Sequence, residues 1–215
     1  MRATRTLLLA GVLLSPLAAD LKSAPSLVAQ EPTFENVTEA VGLGGGDFVA
    51  WADFDRDGDI DLVTGGRLFE NDGAGRFTAL DGFSASSGVW GDYDNDGLLD
   101  FYATSGTGQL LKNLGNRQFK KTRIPENPHQ MSRAAAWADA DNDGWVDLFV
   151  TNYETWPTRA FPDLFYWNSG QGSFAEPVPH PRGKQWRGRG VNWSDFDNDG
   201  DQDFYISKRR KCHCA

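Results

Sequence analysis

Asp53, Asp55, Asp57 and Asp61 fall within nine residues, and the arrangement returns at Asp92, Asp94, Asp96 and Asp100, at Asp139, Asp141, Asp143 and Asp147, and at Asp195, Asp197, Asp199 and Asp203. Four carboxylates so close repel one another unless a cation lies among them, and hard oxygen ligands at this spacing suit Ca²⁺. The alternating aspartates can converge on one point only if the backbone curls around it. Gly58, Gly97, Gly144 and Gly200 hold the position where that curl is needed, and glycine tolerates the positive φ it requires. The next residue varies, as Asp59, Leu98, Trp145 and Asp201, which implies that only its backbone carbonyl serves as a ligand. The last aspartate of each group is expected to close the site, giving about four Ca²⁺ sites.

An EF-hand loop opens with the same letters but needs a bidentate Glu at its twelfth position and flanking helices. Here the twelfth positions are Thr64, Ala103, Val150 and Ile206. The flanks, such as Phe48-Val-Ala-Trp51 before the first loop and Leu148-Phe-Val-Thr151 after the third, are short β-branched and aromatic runs that read as strands. Each acidic loop is therefore expected to join the two strands of a β-hairpin.

A tryptophan stands two residues before each loop, at Trp51, Trp90, Trp137 and Trp193, and the first aspartates are 39, 47 and 56 residues apart. After each of the first three loops comes a second shared pattern, an apolar pair, an Asn, a Gly-containing turn and a Phe. It runs from Leu68 to Phe77, from Leu110 to Phe119 and from Phe165 to Phe174. Each repeat thus supplies a Trp strand, a strand after the loop, a strand ending in Asn and a strand opened by Phe. Four strands in roughly 40 to 45 residues is the signature of a propeller blade.

These residues resemble the FG-GAP or VCBS-type repeats of integrin-α-like calcium propellers, over about residues 34–207. The wording Trp-x-Asp-Phe-Asp at Trp51 and Trp193 is similar to secreted proteins of the cartilage-acidic-protein-like group, whose propellers often precede an ASPIC/UnbV domain. The resemblance implies an all-β, β-propeller fold whose aspartates bind Ca²⁺ in the hairpin between a blade's first two strands. It further implies a secreted binding or scaffolding module of adhesion type, with an extracellular protein or glycan as ligand. The alternative is a calcium-dependent polysaccharide lyase or hydrolase, since some calcium propellers are lyases. No nucleophile motif accompanies His129 or His180, and nearly every candidate Asp already has a metal to bind.

The two ends depart from the pattern. Phe34-Glu-Asn-Val-Thr38 matches a Phe-led outer strand with no inner strands before it. The fourth repeat stops after its second strand, and residues 208–215 form an off-pattern tail. The expectation is about three and a half blades, read either as a portion of a longer propeller or as a compact ring completed by the N-terminal strand.

Met1 to Arg5 is basic, Leu7 to Leu17 is apolar and Ala18-Ala19 is small, so residues 1–19 read as a secretory signal peptide, with cleavage near Ala19 or near Ala29. The rival reading is an uncleaved signal anchor. No other stretch is apolar enough to span a bilayer. The formal charge of −9 has a local origin, because the four loops hold 18 aspartates. That acidity excludes a nucleic-acid surface, which must be basic. Arg182, Lys184, Arg187 and Arg189 read as a solvated inter-blade loop, Trp156 and Trp186 as candidate surface platforms for sugar rings, and Cys212-His213-Cys214 as lacking a fourth metal ligand.

Overall fold

The computed structural model describes residues 35–155, 159–170, 172–180 and 188–208. The signal-peptide segment, Phe34, Trp156, Trp186, most of the basic cluster and the Cys-His-Cys tail lie outside them. The chain divides into two compact units, Met1–Asn36 and Val37–Ala215. Among its described residues the second unit contains sixteen strands and no helix. No helix there is long and apolar enough to cross a membrane.

The strands form blades in chain order. The first blade is β1 (Val49–Ala52), β2 (Asp61–Thr64), β3 (Arg67–Asn71) and β4 (Phe77–Ala79), paired side by side in that sequence. The second is β5 (Gly88–Gly91), β6 (Asp100–Ala103), β7 (Gln109–Asn113) and β8 (Phe119–Thr122). The third joins β9 (Ser132–Ala138), β10 (Asp147–Asn152), β13 (Leu164–Tyr166) and β14 (Val178–Pro179), with a small hairpin of β11 (Glu154–Thr155) and β12 (Arg159–Ala160) inserted in its middle. A last pair, β15 (Gly188–Ser194) and β16 (Asp203–Lys208), makes half a blade. All pairings are antiparallel, as consecutive strands joined by short turns require. The expected all-β propeller-type architecture of three whole blades and one half is what the described residues form.

Register is the same in every repeat. Trp51 faces Leu62 and Ala52 faces Asp61; Trp90 faces Phe101 and Gly91 faces Asp100; the same offsets pair Trp137 with Leu148 and Trp193 with Phe204. The last aspartate of each acidic loop is therefore the first residue of its blade's second strand. That strand is buried on both faces in the three whole blades, so it reads as a continuous apolar run instead of an alternating one. β16 alternates, with Tyr205 75% exposed, because no described blade covers its outer face.

Apolar clusters lie between blades rather than within them. Phe54, Val63 and Leu68 of the first blade pack with Phe101 and Leu111 of the second. Tyr102 and Leu110 of the second pack with Leu148 and Tyr166 of the third, and Phe149 and Phe165 of the third with Val191 of the half blade. The repeated tryptophans sit at these junctions. Trp90 stacks on Phe54, with ring centroids 6.3 Å apart, and Trp193 lies edge-on to Phe165 at 5.9 Å. Trp51 has no described blade in front of it and is 54% exposed.

Two expectations change. Residues 35–37 carry no strand and residues 38–42 form a turn; Val41 instead accepts a hydrogen bond from the Phe77 N–H, at the start of β4. In the third blade Phe174 makes only an isolated bridge to Asn168, and the outer strand comes later, at Val178–Pro179. Pro177 and Pro179 have no N–H to give a ladder, which restricts this segment to a short edge strand.

Candidate metal centre

Each acidic loop spans the turn between a blade's first and second strands, and its backbone is wound by its own side chains. The first aspartate accepts two N–H donors, at one oxygen from the fifth residue and at the other from the glycine. These are Asp57 and Gly58 to Asp53 at 3.1 Å each, with the same pair of bonds at Asp92, Asp139 and Asp195. The fifth residue accepts the N–H of the seventh: Asp57 from Asp59, Asp96 from Leu98, Asp143 from Trp145, and Asp199 from Asp201. Gly58, Gly97, Gly144 and Gly200 have φ between 83° and 96°, the left-handed region that glycine enters without strain.

The result is that three carboxylates of each loop converge. Asp53, Asp55 and Asp57 place one oxygen each within 4.8 Å of the others, as do Asp92, Asp94 and Asp96, Asp139, Asp141 and Asp143, and Asp195, Asp197 and Asp199. Like charges held this close want a cation. Asp55 Oδ1 and Asp94 Oδ1 are buried with no hydrogen-bond partner, which is costly unless something positive meets them. All-carboxylate oxygen donors fit a hard divalent ion. Burial, then the neighbouring Asp57, raises the Asp55 carboxyl above its ordinary range.

The closing aspartates stand outside these trios. Asp61, Asp100 and Asp147 are fully buried, and each braces the blade through both oxygens. One oxygen accepts the N–H of the second loop residue, Phe54, Tyr93 or Ala140. The other accepts the N–H of the asparagine that ends the third strand in the first two blades and follows it in the third, from Asn71 at 2.9 Å, Asn113 at 2.7 Å and Asn168 at 2.8 Å. Asp203, in the half blade, accepts from Phe196 at 3.3 Å. Burial raises Asp61 and Asp147 to about 6 and Asp100 to about 7, outweighing those donated bonds.

Of the seventh-position residues, Asp59 lies against Gly73, where a Cβ would come within 2.5 Å of Asp59 Oδ2. Trp145 and Leu98 lie over Gly170 and Gly115 more loosely, 3.3 Å and 3.8 Å from where a Cβ would stand, and Asp201 accepts a bond from Asn142 Nδ2 at 2.9 Å.

Two features were missed in the sequence. The fourth loop residue, Arg56, Asn95, Asn142 or Asn198, also has positive φ, 54° to 64°. Asn95 and Asn142 use that conformation to reach the next loop, at Gly144 O and Asp201 Oδ1. Asparagine is the non-glycine residue that tolerates this region best, so three of the four letters carried the signal. The second feature is Lys112, whose ammonium bonds to Asp94 and lies 3.0 Å from Asp96 Oδ2. Burial opposes the charge on Lys112, but these two carboxylates hold its pKa above the ordinary lysine range. At the first loop, Arg117 pairs with Glu70 and lies 3.7 Å from Asp55.

An FG-GAP-like repeat model matches residues 92–150 and again residues 139–206, together more than half of the chain. The chain belongs to the FG-GAP-like repeat family. No curated protein matches it. The FG-GAP matches begin at the first aspartate of the second and of the third acidic loop, and together they take in the second, third and fourth loops. They reach the repeat itself and not the cartilage-acidic-protein-like group. His129 and His180 pack in this fold as aromatic partners, of Phe161 at 5.1 Å and of Phe149 and Phe204 at 5.9 and 5.5 Å.

Proposed function

We propose that this FG-GAP protein is a calcium-stabilised, propeller-type binding or scaffolding module that works outside the cytoplasm. The observation that carries the calcium reading is the convergence of three carboxylates in each of four loops, with a buried, unpartnered oxygen in two of them. In this reading Asp53, Asp55 and Asp57 and their counterparts hold the ion, with the seventh-position carbonyl as a further ligand. Asp61, Asp100, Asp147 and Asp203 support the loop from beneath. The ion neutralises carboxylates that would otherwise push the first two strands of a blade apart. Affinities on the order of 10⁻⁴ to 10⁻³ M, as in extracellular modules, would make calcium a permanent part of the fold. The secretory character of residues 1–19 supports the location. The ligand in this reading is an extracellular protein or glycan, and the module is not a catalyst, in keeping with a repeat family that is typically non-enzymatic.

Thermal unfolding of the full chain followed by circular dichroism, in millimolar CaCl₂ and in EGTA, tests the reading. A cooperative transition that moves up strongly with calcium is expected. The same midpoint in both conditions would overturn it.

A further inference from the structure

The four loops share one wording but not one electrostatic setting. The residue just before the asparagine of the third strand is Glu70 in the first blade, Lys112 in the second and Trp167 in the third. Glu70 is engaged by Arg117, which also lies near Asp55, so the first loop has an acid and a base beside it whose charges offset. Trp167 stacks on Phe165, with ring centroids 4.6 Å apart, and brings no charge. Of these three residues, Lys112 alone places a full positive charge on a trio, touching Asp94 and Asp96 and leaving Asp94 Oδ1 unpartnered.

We propose that Lys112 is a tethered counter-cation that competes with the divalent ion for the second loop, making it the weakest of the four calcium sites. The proposal rests on the calcium reading above. A divalent ion among Asp92, Asp94 and Asp96 would meet an ammonium already bonded to two of its three carboxylates. It binds only when that ammonium swings out, and each ion pair then lost weakens the site. The swing is open to Lys112, which is 26% exposed on a flexible four-carbon stem. Conversely, in low calcium the lysine neutralises part of the loop and holds the β5–β6 hairpin together. The second blade, which shares apolar clusters with blades on either side, is thus the one least dependent on the metal.

Isothermal titration of the full chain with CaCl₂, wild type against Lys112→Gln, tests this. The expected result is a wild type whose weakest site tightens at least tenfold in the variant, while the other sites stay within twofold. Adding Asp96→Asn to Lys112→Gln should abolish that gain, which assigns it to the second loop. In EGTA, Lys112→Gln should melt below wild type, because the trio loses its counter-charge. If the Gln variant does not fold, Lys112→Met, which keeps the stem beside Tyr93, takes its place. Calcium binding by wild type with no tightening in the variant overturns the proposal and leaves the calcium reading standing. Absence of calcium uptake by wild type overturns both.

Discussion

Asn113 donates its side-chain N–H to the Phe54 carbonyl at 2.8 Å, from the third strand of the second blade into the acidic loop of the first. The same amide nitrogen also donates to Leu99 O, and its backbone N–H goes to Asp100. Asn168 repeats the arrangement on Tyr93 O at 2.8 Å and on Val146 O. One residue thus ties a blade's loop, its own third strand and the preceding blade's loop. Asn113→Ala or Asn168→Ala should each cost roughly 1–3 kcal/mol, the penalty for stranding buried polar groups. Equilibrium urea unfolding would show it, with equal loss in calcium and in EGTA because the bonds do not involve the trio. A variant with the same urea midpoint and slope as wild type would argue against the staple.

Removing one carboxylate from a trio should, by contrast, depend on metal. On the calcium reading, Asp57→Ala takes one ligand from the first loop, so the melting point should fall by several degrees in millimolar CaCl₂ and by much less in EGTA. Differential scanning calorimetry in the two buffers separates the outcomes. Equal falls would mean that Asp57 matters only through its bond to the Asp59 N–H.

Acidity should stabilise the metal-free protein. Burial raises Asp61 and Asp147 to about 6 and Asp100 to about 7, whereas in the unfolded chain they titrate near 3.8. Between these values the folded state holds protons that the unfolded state has released, so stability falls as pH rises through about 4 to 7. In EGTA the melting point should therefore be higher at pH 5 than at pH 8. Calcium, by favouring ionised carboxylates, should flatten or reverse the slope. A metal-free melting point that climbs from pH 5 to pH 8 would contradict the burial of these three groups.

Gly91 has no room for a side chain, because a Cβ there would lie 2.6 Å from Cδ1 of the Trp137 indole. Gly91→Ala should push Trp137 off the second blade at a cost of about 1–3 kcal/mol, typical of overpacking. A shifted tryptophan emission maximum accompanying the loss would locate the damage. Wild-type stability and emission together would show that the indole moves aside freely.

Much of this fold was legible because its key residues are repeated. Trp51, Trp90, Trp137 and Trp193 mark the first strands, the aspartates mark the turns, and Asn71 and Asn113 mark the ends of the third strands, whereas Asn168 stands two residues beyond the end of its strand at Tyr166. Repetition separates a pattern from chance in a way that a single strand cannot. Where the repeat was imperfect the reading slipped. The Phe34–Thr38 pattern suggested an outer strand, but residues 38–42 form a turn in the structure. In the third blade, prolines moved the outer strand past Phe174 to Val178–Pro179. At the candidate metal centre, spacing placed four carboxylates around each loop but could not distinguish the three that converge from the one that braces. That division depends on the asparagine N–H arriving from a strand ten or more residues away. The role of Lys112 was hidden for the same reason, since its partners Asp94 and Asp96 are distant in sequence and the matching positions hold Glu70 and Trp167.

Because each apolar cluster is shared by two blades, a blade has no interior of its own. The stretch of sequence that is copied and the body that resists unfolding are therefore out of phase by half a step. Duplicating one copy lengthens the array by one seam, whichever copy it is, since each brings a front for its predecessor and a back for its successor. An inherited change at one seam is borne by two neighbours at once, so drift in any copy is constrained by the copies on either side of it.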